Sequence, residues 1–184
     1  MNSILGMDSA IFFVILAVIA IGLIWFVSMR NGLVRLKVRV EEAWSDITVQ
    51  LKRRADLIPN LIETVKGYAK HEAQVLEEVT KARSQVGQVQ IKGTEDLPKF
   101  DHAQRELTGA LSRLLVVAEK YPDLKADKNF LELQSQLEGT ENRITVERMR
   151  FNETAREYNT YLKIFPQSIV AGMRGFHERA YFQS

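Results

Sequence analysis

The chain has 184 residues, 46% of them apolar, and a formal net charge of only +2. That is room for one domain with a core plus an extension, and a balance too even to point to nucleic acid. It contains no cysteine, which excludes disulfides, thiolate catalysis and cysteine-ligated metal.

Charge is unevenly placed along the chain. Asp8 is the only charged side chain before Arg30. Between them, residues 10–29 read AIFFVILAVIAIGLIWFVSM, opened by Ala10 and closed by Met29. Twenty residues at about 1.5 Å each match the roughly 30 Å hydrocarbon core of a bilayer. A helix also satisfies its own backbone hydrogen bonds, which lipid cannot do. Trp25 and Phe26 fall near the C-terminal interface, where amphipathic rings are favoured. A cleaved signal peptide would want a basic start, a shorter apolar run and small residues at the cleavage site. Here the flank is Arg30, Asn31 and an amphipathic helix, so residues 1–30 are predicted to be an uncleaved anchor. Arg30, Arg35, Lys37 and Arg39 follow the span and no lysine or arginine precedes it. The positive-inside rule then puts the N-terminus outside and the rest in the cytoplasm. The same basic collar suits anionic lipid heads.

Residues 31–165 read as one helical domain. Leu33, Leu36, Val40, Trp44, Ile47 and Leu51 recur at spacings of three and four, the stripe of a helix. It continues through Ala55, Ile58, Ile62, Val65, Ala69, Leu76 and Val79. Ala103, Leu107, Leu111, Leu114 and Ala118 keep the same rhythm, as do Phe130, Leu133, Leu137, Ile144, Phe151, Ala155, Tyr158 and Leu162. No period-two run is long enough for a strand, so the class is all-α. The helices are long, about 30 Å for the third segment and about 55 Å for the last. Residues 89–100, with a glycine, Thr94 and Pro98, are predicted to be a loop. Asp127 is placed to cap the long helix that follows Pro122. Pro166 in FPQS ends that helix.

The stretch QLKRRADLIPNLIETVKGYAKHE (residues 50–72) has two readings. Asp56 can cap a new helix by accepting the Ile58 amide, leaving Pro59 harmless in a first turn and DLIPN a tight turn. Alternatively one helix runs through with a kink, which the unbroken apolar stripe slightly favours. Lys52, Arg53, Arg54 and Asp56 read as a solvated face. The sharper alternative pairs Arg53 or Arg54 with Glu141 or Glu147 to fix helix register, or with a neighbouring subunit. Asn60, Tyr68, Asn142, Asn152, Tyr158 and Asn159 are expected to be interhelical hydrogen-bond partners.

The tail, residues 166–184, together with Phe165 before it, is aromatic and apolar: Phe165, Ile169, Val170, Met173, Phe176, Tyr181 and Phe182, with Arg174 and Arg179 among them. It either folds back onto the helices or docks on another subunit, a partner or the membrane interface. An up-and-down bundle returns it to the membrane side; a continuous first rod would send it to the far end.

Four stretches carry a family resemblance: VEEAWSDITVQLKRRADLIPNLIETVKGYAKHE, VTKAR, VVAEKYPDLKADKNFLELQSQLEGTENRITVERMRFNETAREYN and IFPQSIVAGMRGFHERAYF. In this order, and over nearly all of the chain from Val40, they resemble the LemA family of bacterial membrane proteins. The resemblance implies an N-terminal transmembrane helix followed by an antiparallel four-helix bundle in the bacterial inner membrane, and it favours the turn at DLIPN. It implies no established reaction. Some relatives are associated with magnetosome membranes and others with membrane proteases. The YFQS ending departs from the family's aromatic pair followed by an acid, so the last residues are expected to be truncated or foreign.

Sites for chemistry are scarce. His71, His102 and His177 are far apart, and none has a second ligand at helical spacing. His71-Glu72 is not an HExxH pair, since position 75 is Val75. No phosphate-binding glycine loop is present, and Glu41-Glu42 and Glu77-Glu78 read as solvated neighbours. No catalytic residue, metal or cofactor is therefore expected. The expected function is a non-enzymatic, membrane-anchored scaffold that forms homo-oligomers and organises membrane proteins or membrane shape. An adaptor or regulator of a membrane protease and a ligand-binding sensor are the alternatives.

Overall fold

The computed structural model describes residues 2–89 and 96–182, with side chains from Ile11 onward. Of the loop expected at 89–100, residues 90–95 lie outside these, as do the Ala10 side chain and the ending at Gln183 and Ser184; from Leu97 the chain is already helical, so the loop is shorter than expected. The elements are α1 (Asn2–Tyr68), α2 (Ala73–Gln88), α3 (Leu97–Ala118), the single turn α4 (Pro122–Lys125), α5 (Lys128–Lys163) and α6 (Gln167–Arg174). The described residues contain no strand. Pro98 stands in the first turn of α3, where its missing amide costs nothing. Asp127 caps α5 by accepting from the Phe130 amide at 2.9 Å.

With 67 residues, α1 is about 100 Å long. Among the described residues it is the one helix long and apolar enough to cross a membrane. Ile11, Phe12, Phe13 and the apolar residues that follow are exposed as far as Trp25, whereas Met29 and Leu33 are buried. The helix thus passes from apolar run into folded domain without a flexible joint.

DLIPN is not a turn. The helix continues through Pro59, and Asp56 is an exposed residue inside it, not a cap. A proline at 59 deprives the Ala55 carbonyl of its amide donor four residues on. Arg83 of α2 supplies the substitute, donating Nε–H to the Ala55 oxygen at 3.0 Å. Ile58, Leu61 and Ile62, all buried around the proline, keep the helical phase. The chain reverses a few residues later, at 69–72, where the Glu72 amide donates to the Ala69 carbonyl. The two roles are coupled in a testable way. Arg83→Met is expected to cost about 1 kcal/mol in the wild-type background. In a Pro59→Ala background, where the amide is restored, the cost should largely vanish in a double-mutant cycle of thermal melts in detergent.

α1 and α5 lie antiparallel, with Arg39 facing Glu157, Asp46 facing Arg150, Arg54 facing Glu141 and Tyr68 facing Asp127. α2 and α3 pair with each other, Arg113 on Glu78 at 3.0 Å, and cover mainly the distal half of the rod, with Leu97 and Phe100 at the start of α3 reaching the near cluster. The near half is covered by α6 and the tail. A continuous rod was expected to carry the tail to the far end; it returns to the anchor side instead, because the reversal at 69–72 replaces the one at DLIPN.

Most predicted stripe residues are buried and none is fully exposed. They form two apolar clusters. One, nearer the anchor, gathers Met29, Leu33, Val40, Ile47, Phe151 and Tyr158; the other, distal, gathers Ile58, Leu61, Val65, Val79, Leu107 and Leu114. Near the boundary between them lie four buried polar residues, Arg54, Asp101, Gln104 and Thr140.

Candidate functional site

That polar belt is the first of three constellations built by the fold. Arg54, exposed for only 4% of its surface, is aimed from α1 between α3 and α5. Its Nη1 lies 2.8 Å from Glu141 Oε2, and its Nη2 donates to Thr108 Oγ1 at 2.8 Å. Burial lowers the Arg54 pKa from its usual value, the Glu141 carboxylate opposes that, and the Arg148 cation adds to it. Guanidinium stays charged at neutral pH. Beside it the buried Asp101 carboxylate is held by Arg148 and Arg105, each at 3.0 Å. Arg53, in contrast, is exposed, as are Pro59 and Asn60. The Asn60 carbonyl accepts from Thr64. The sequence held one signal for this belt that periodicity arguments overlook: Asp101, Gln104 and Thr108 themselves recur at three and four, so α3 carries a polar stripe beside its apolar one.

The second constellation holds the tail. α6 ends at Gly175, whose φ of 67° is left-handed and suits glycine; from there the chain runs extended, back along α5. Asn159 uses its amide nitrogen to donate to the Arg179 carbonyl (2.8 Å) and its oxygen to accept from the Arg179 amide (2.8 Å). Asn152 does the same to Phe182, at 3.0 and 2.8 Å. Seven helical residues rise about 10.5 Å and three extended residues span about 10 Å, so the two clamps are in register with the extended tail they hold. Phe182 then enters a box of Trp44, stacked at 5.9 Å, and Phe151, edge-on at 5.4 Å, with Arg148 5.0 Å above its ring. Phe182 is thus buried and Phe176 half-buried, while Tyr181 is exposed at 43% and its hydroxyl still meets Asn159. The two asparagines are among the residues read as interhelical partners in sequence; their partner is the tail backbone, a long-range pairing that sequence spacing does not show.

The third lies at the anchor-distal tip, where Tyr68 donates to Asp127 Oδ2 at 2.9 Å and Tyr121 to Glu72 at 3.1 Å. The Phe130 amide and then the Tyr68 hydroxyl hold the Asp127 carboxyl below its usual pKa. A depressed carboxylate stabilises the fold above its unfolded pKa of about 3.9, and that stabilisation is lost as pH falls through the folded value. Asp127→Asn keeps a capping oxygen but cannot ionise. It is expected to melt below wild type at pH 7, with the gap closing below about pH 4.

Among the described residues no three metal-ligating side chains converge. The grooves are open; the one between α2 and α3 is lined by Glu78, His102, Arg105, Glu106 and Arg113. His102 Nδ1 sits 3.9 Å from Glu106 on its own helix. These arrangements hold the helices and the extended tail in register.

The chain is 26% identical over 175 residues to Protein LemA of Metamycoplasma hominis, covering 94% of this chain and 78% of that one. It is 25% identical over 192 residues to the magnetosome protein MamQ of Magnetospirillum gryphiswaldense, covering 91% and 71%. A shorter match, 32% over 74 residues, is to magnetosome protein MamQ 2 of Paramagnetospirillum magneticum, covering 40% and 27%. The profile of the LemA family matches residues 43–184, the whole chain beyond the anchor and its collar, and the protein therefore belongs to the LemA family.

Proposed function

We propose that this protein is a non-catalytic, membrane-anchored scaffold whose four long helices act as an antiparallel bundle, and which self-assembles to organise membrane proteins or membrane shape. The observation that carries this reading is the uninterrupted α1. One helix runs from the apolar span to the tip, and the 39 residues after Met29 make a stalk of about 58 Å with no hinge at its base. Rods fixed parallel in one bilayer meet at high effective concentration, so modest lateral contacts suffice for assembly. Val116, Val146 and Met149 are exposed apolar residues on the outer faces of α3 and α5 and suit such contacts. The basic collar from Arg30 sets the N-terminus outside and the bundle in the cytoplasm of a bacterial inner membrane. Similarity to a magnetosome protein supports a membrane setting.

The test is the mass of the detergent-solubilised full chain, together with crosslinking in membranes. Oligomers are expected by both. A species that stays monomeric at every micromolar concentration and yields no crosslinked product in the bilayer defeats the scaffold reading.

A further inference from the structure

We propose that α6 and the residue pair before it form a second membrane contact, a foot that sets its apolar side into the headgroup layer beside the anchor. The proposal rests on the anchor reading above and adds a lipid-binding surface to it.

α6 is fixed from one side only. Val170 and Ala171 are buried, in the same cluster as Met29 and Leu33 of α1. The opposite side is bare: Phe165 is 80% exposed, Met173 71%, Ile169 55% and Ile164 45%. Ile169 and Met173 are four residues apart and so share one face of the helix, with Phe165 and Ile164 leading into it. Of the nearby tail aromatics, Phe182 enters the Trp44 box and Phe176 packs against the same apolar cluster; these four stay exposed.

Height decides what covers them. The Arg174 guanidinium carbon lies 6.0 Å from the centroid of the Phe26 ring. Phe26 belongs to the last turn of the twenty-residue apolar run, and Met29, at its end, is buried among the residues of the folded domain. The foot therefore stands at the depth where the span leaves the hydrocarbon. The neck is closely packed: a Cβ on Gly32 would sit 2.7 Å from the Tyr161 hydroxyl, so the Tyr161 ring of α5 lies against the bare backbone of α1 there. Cations at the same level, Arg30 and Arg174, complement anionic headgroups. An apolar face rimmed by arginine at the bilayer surface has the chemistry of an interfacial helix. Two attachments, span and foot, would also stop the stalk from swivelling about its anchor.

The absence of native cysteine makes the test direct. Single-cysteine variants Phe165→Cys and Met173→Cys of the full chain are labelled with an environment-sensitive NBD dye and reconstituted in phosphatidylcholine–phosphatidylglycerol vesicles. Ile19→Cys reports the span, read with deep spin-labelled lipid, and Ser135→Cys an exposed position far from it. The expected result is about two- to threefold more quenching by shallow spin-labelled lipid at 165 and 173 than at 135. If 165 and 173 match 135 while 19 is quenched by the deep label, the foot is wrong and the anchor stands. If 19 is not quenched either, the anchor reading itself falls, and the foot with it. Blue-shifted emission at 165 and 173 without lipid quenching means that protein covers the face, which also overturns the proposal.

Discussion

Glu141→Ala is expected to destabilise the folded domain by about 2–3 kcal/mol, and Arg54→Met by less than about 1 kcal/mol, although both delete the same ion pair. The asymmetry follows from burial. The Glu141 side chain is 43% exposed and rehydrates when its partner leaves, whereas that of Arg54 is 5% exposed. Removing Glu141 strands a buried cation beside Arg148, with only Thr108 left as a specific partner. The cost sits at or below the low end of the usual range for breaking a buried pair, because water can enter from the Glu141 side. Methionine at 54 fills much of the arginine's volume with no charge to solvate. The double variant should therefore resemble Arg54→Met and be more stable than Glu141→Ala. Urea unfolding of the detergent-solubilised chain measures all three. Equal losses from the two single variants would mean that Arg54 is already solvated in the folded state.

Asn159→Ala is expected to free the tail at a cost of about 2–3 kcal/mol, because it strands the Arg179 amide and carbonyl and the Tyr181 hydroxyl together. Adding Asn152→Ala removes the second clamp and should let Phe182 leave the Trp44 box. Amide hydrogen exchange gives a signature specific to this geometry. In the wild type, the amides of Arg179 and Phe182 should be the slow ones between 177 and 182, since these two donate to asparagine oxygens. In the double variant both should exchange at the rate of a free chain. Uniform exchange across 177–182 in the wild type would contradict the clamp.

The sequence alone determined the features that depend on local composition and period. The charge-free run marks a helix long and apolar enough to cross a membrane, because a bilayer core admits only a backbone that satisfies itself. The spacing of three and four marks the buried faces because side-chain direction repeats with the helix turn. Asp127 marks the start of α5 because capping is settled within three residues. Tertiary structure decided the rest. Pro59 reads locally as a breaker, and it is Arg83, 24 residues on and in another helix, that lets the chain run through it. With that bond the reversal moves to 69–72, which carries the tail back to the anchor. Arg54 became a buried pair and Arg53 a solvated one because of how α1 is rotated against α3 and α5, an angle fixed by the whole core and not by either residue. The aromatic tail divides in the same way. Phe182 is buried because two asparagines on α5 catch the extended segment beyond Gly175, and long-range backbone pairing of that kind leaves no mark in the spacing of either segment; Phe165, which nothing of the kind holds, is bare.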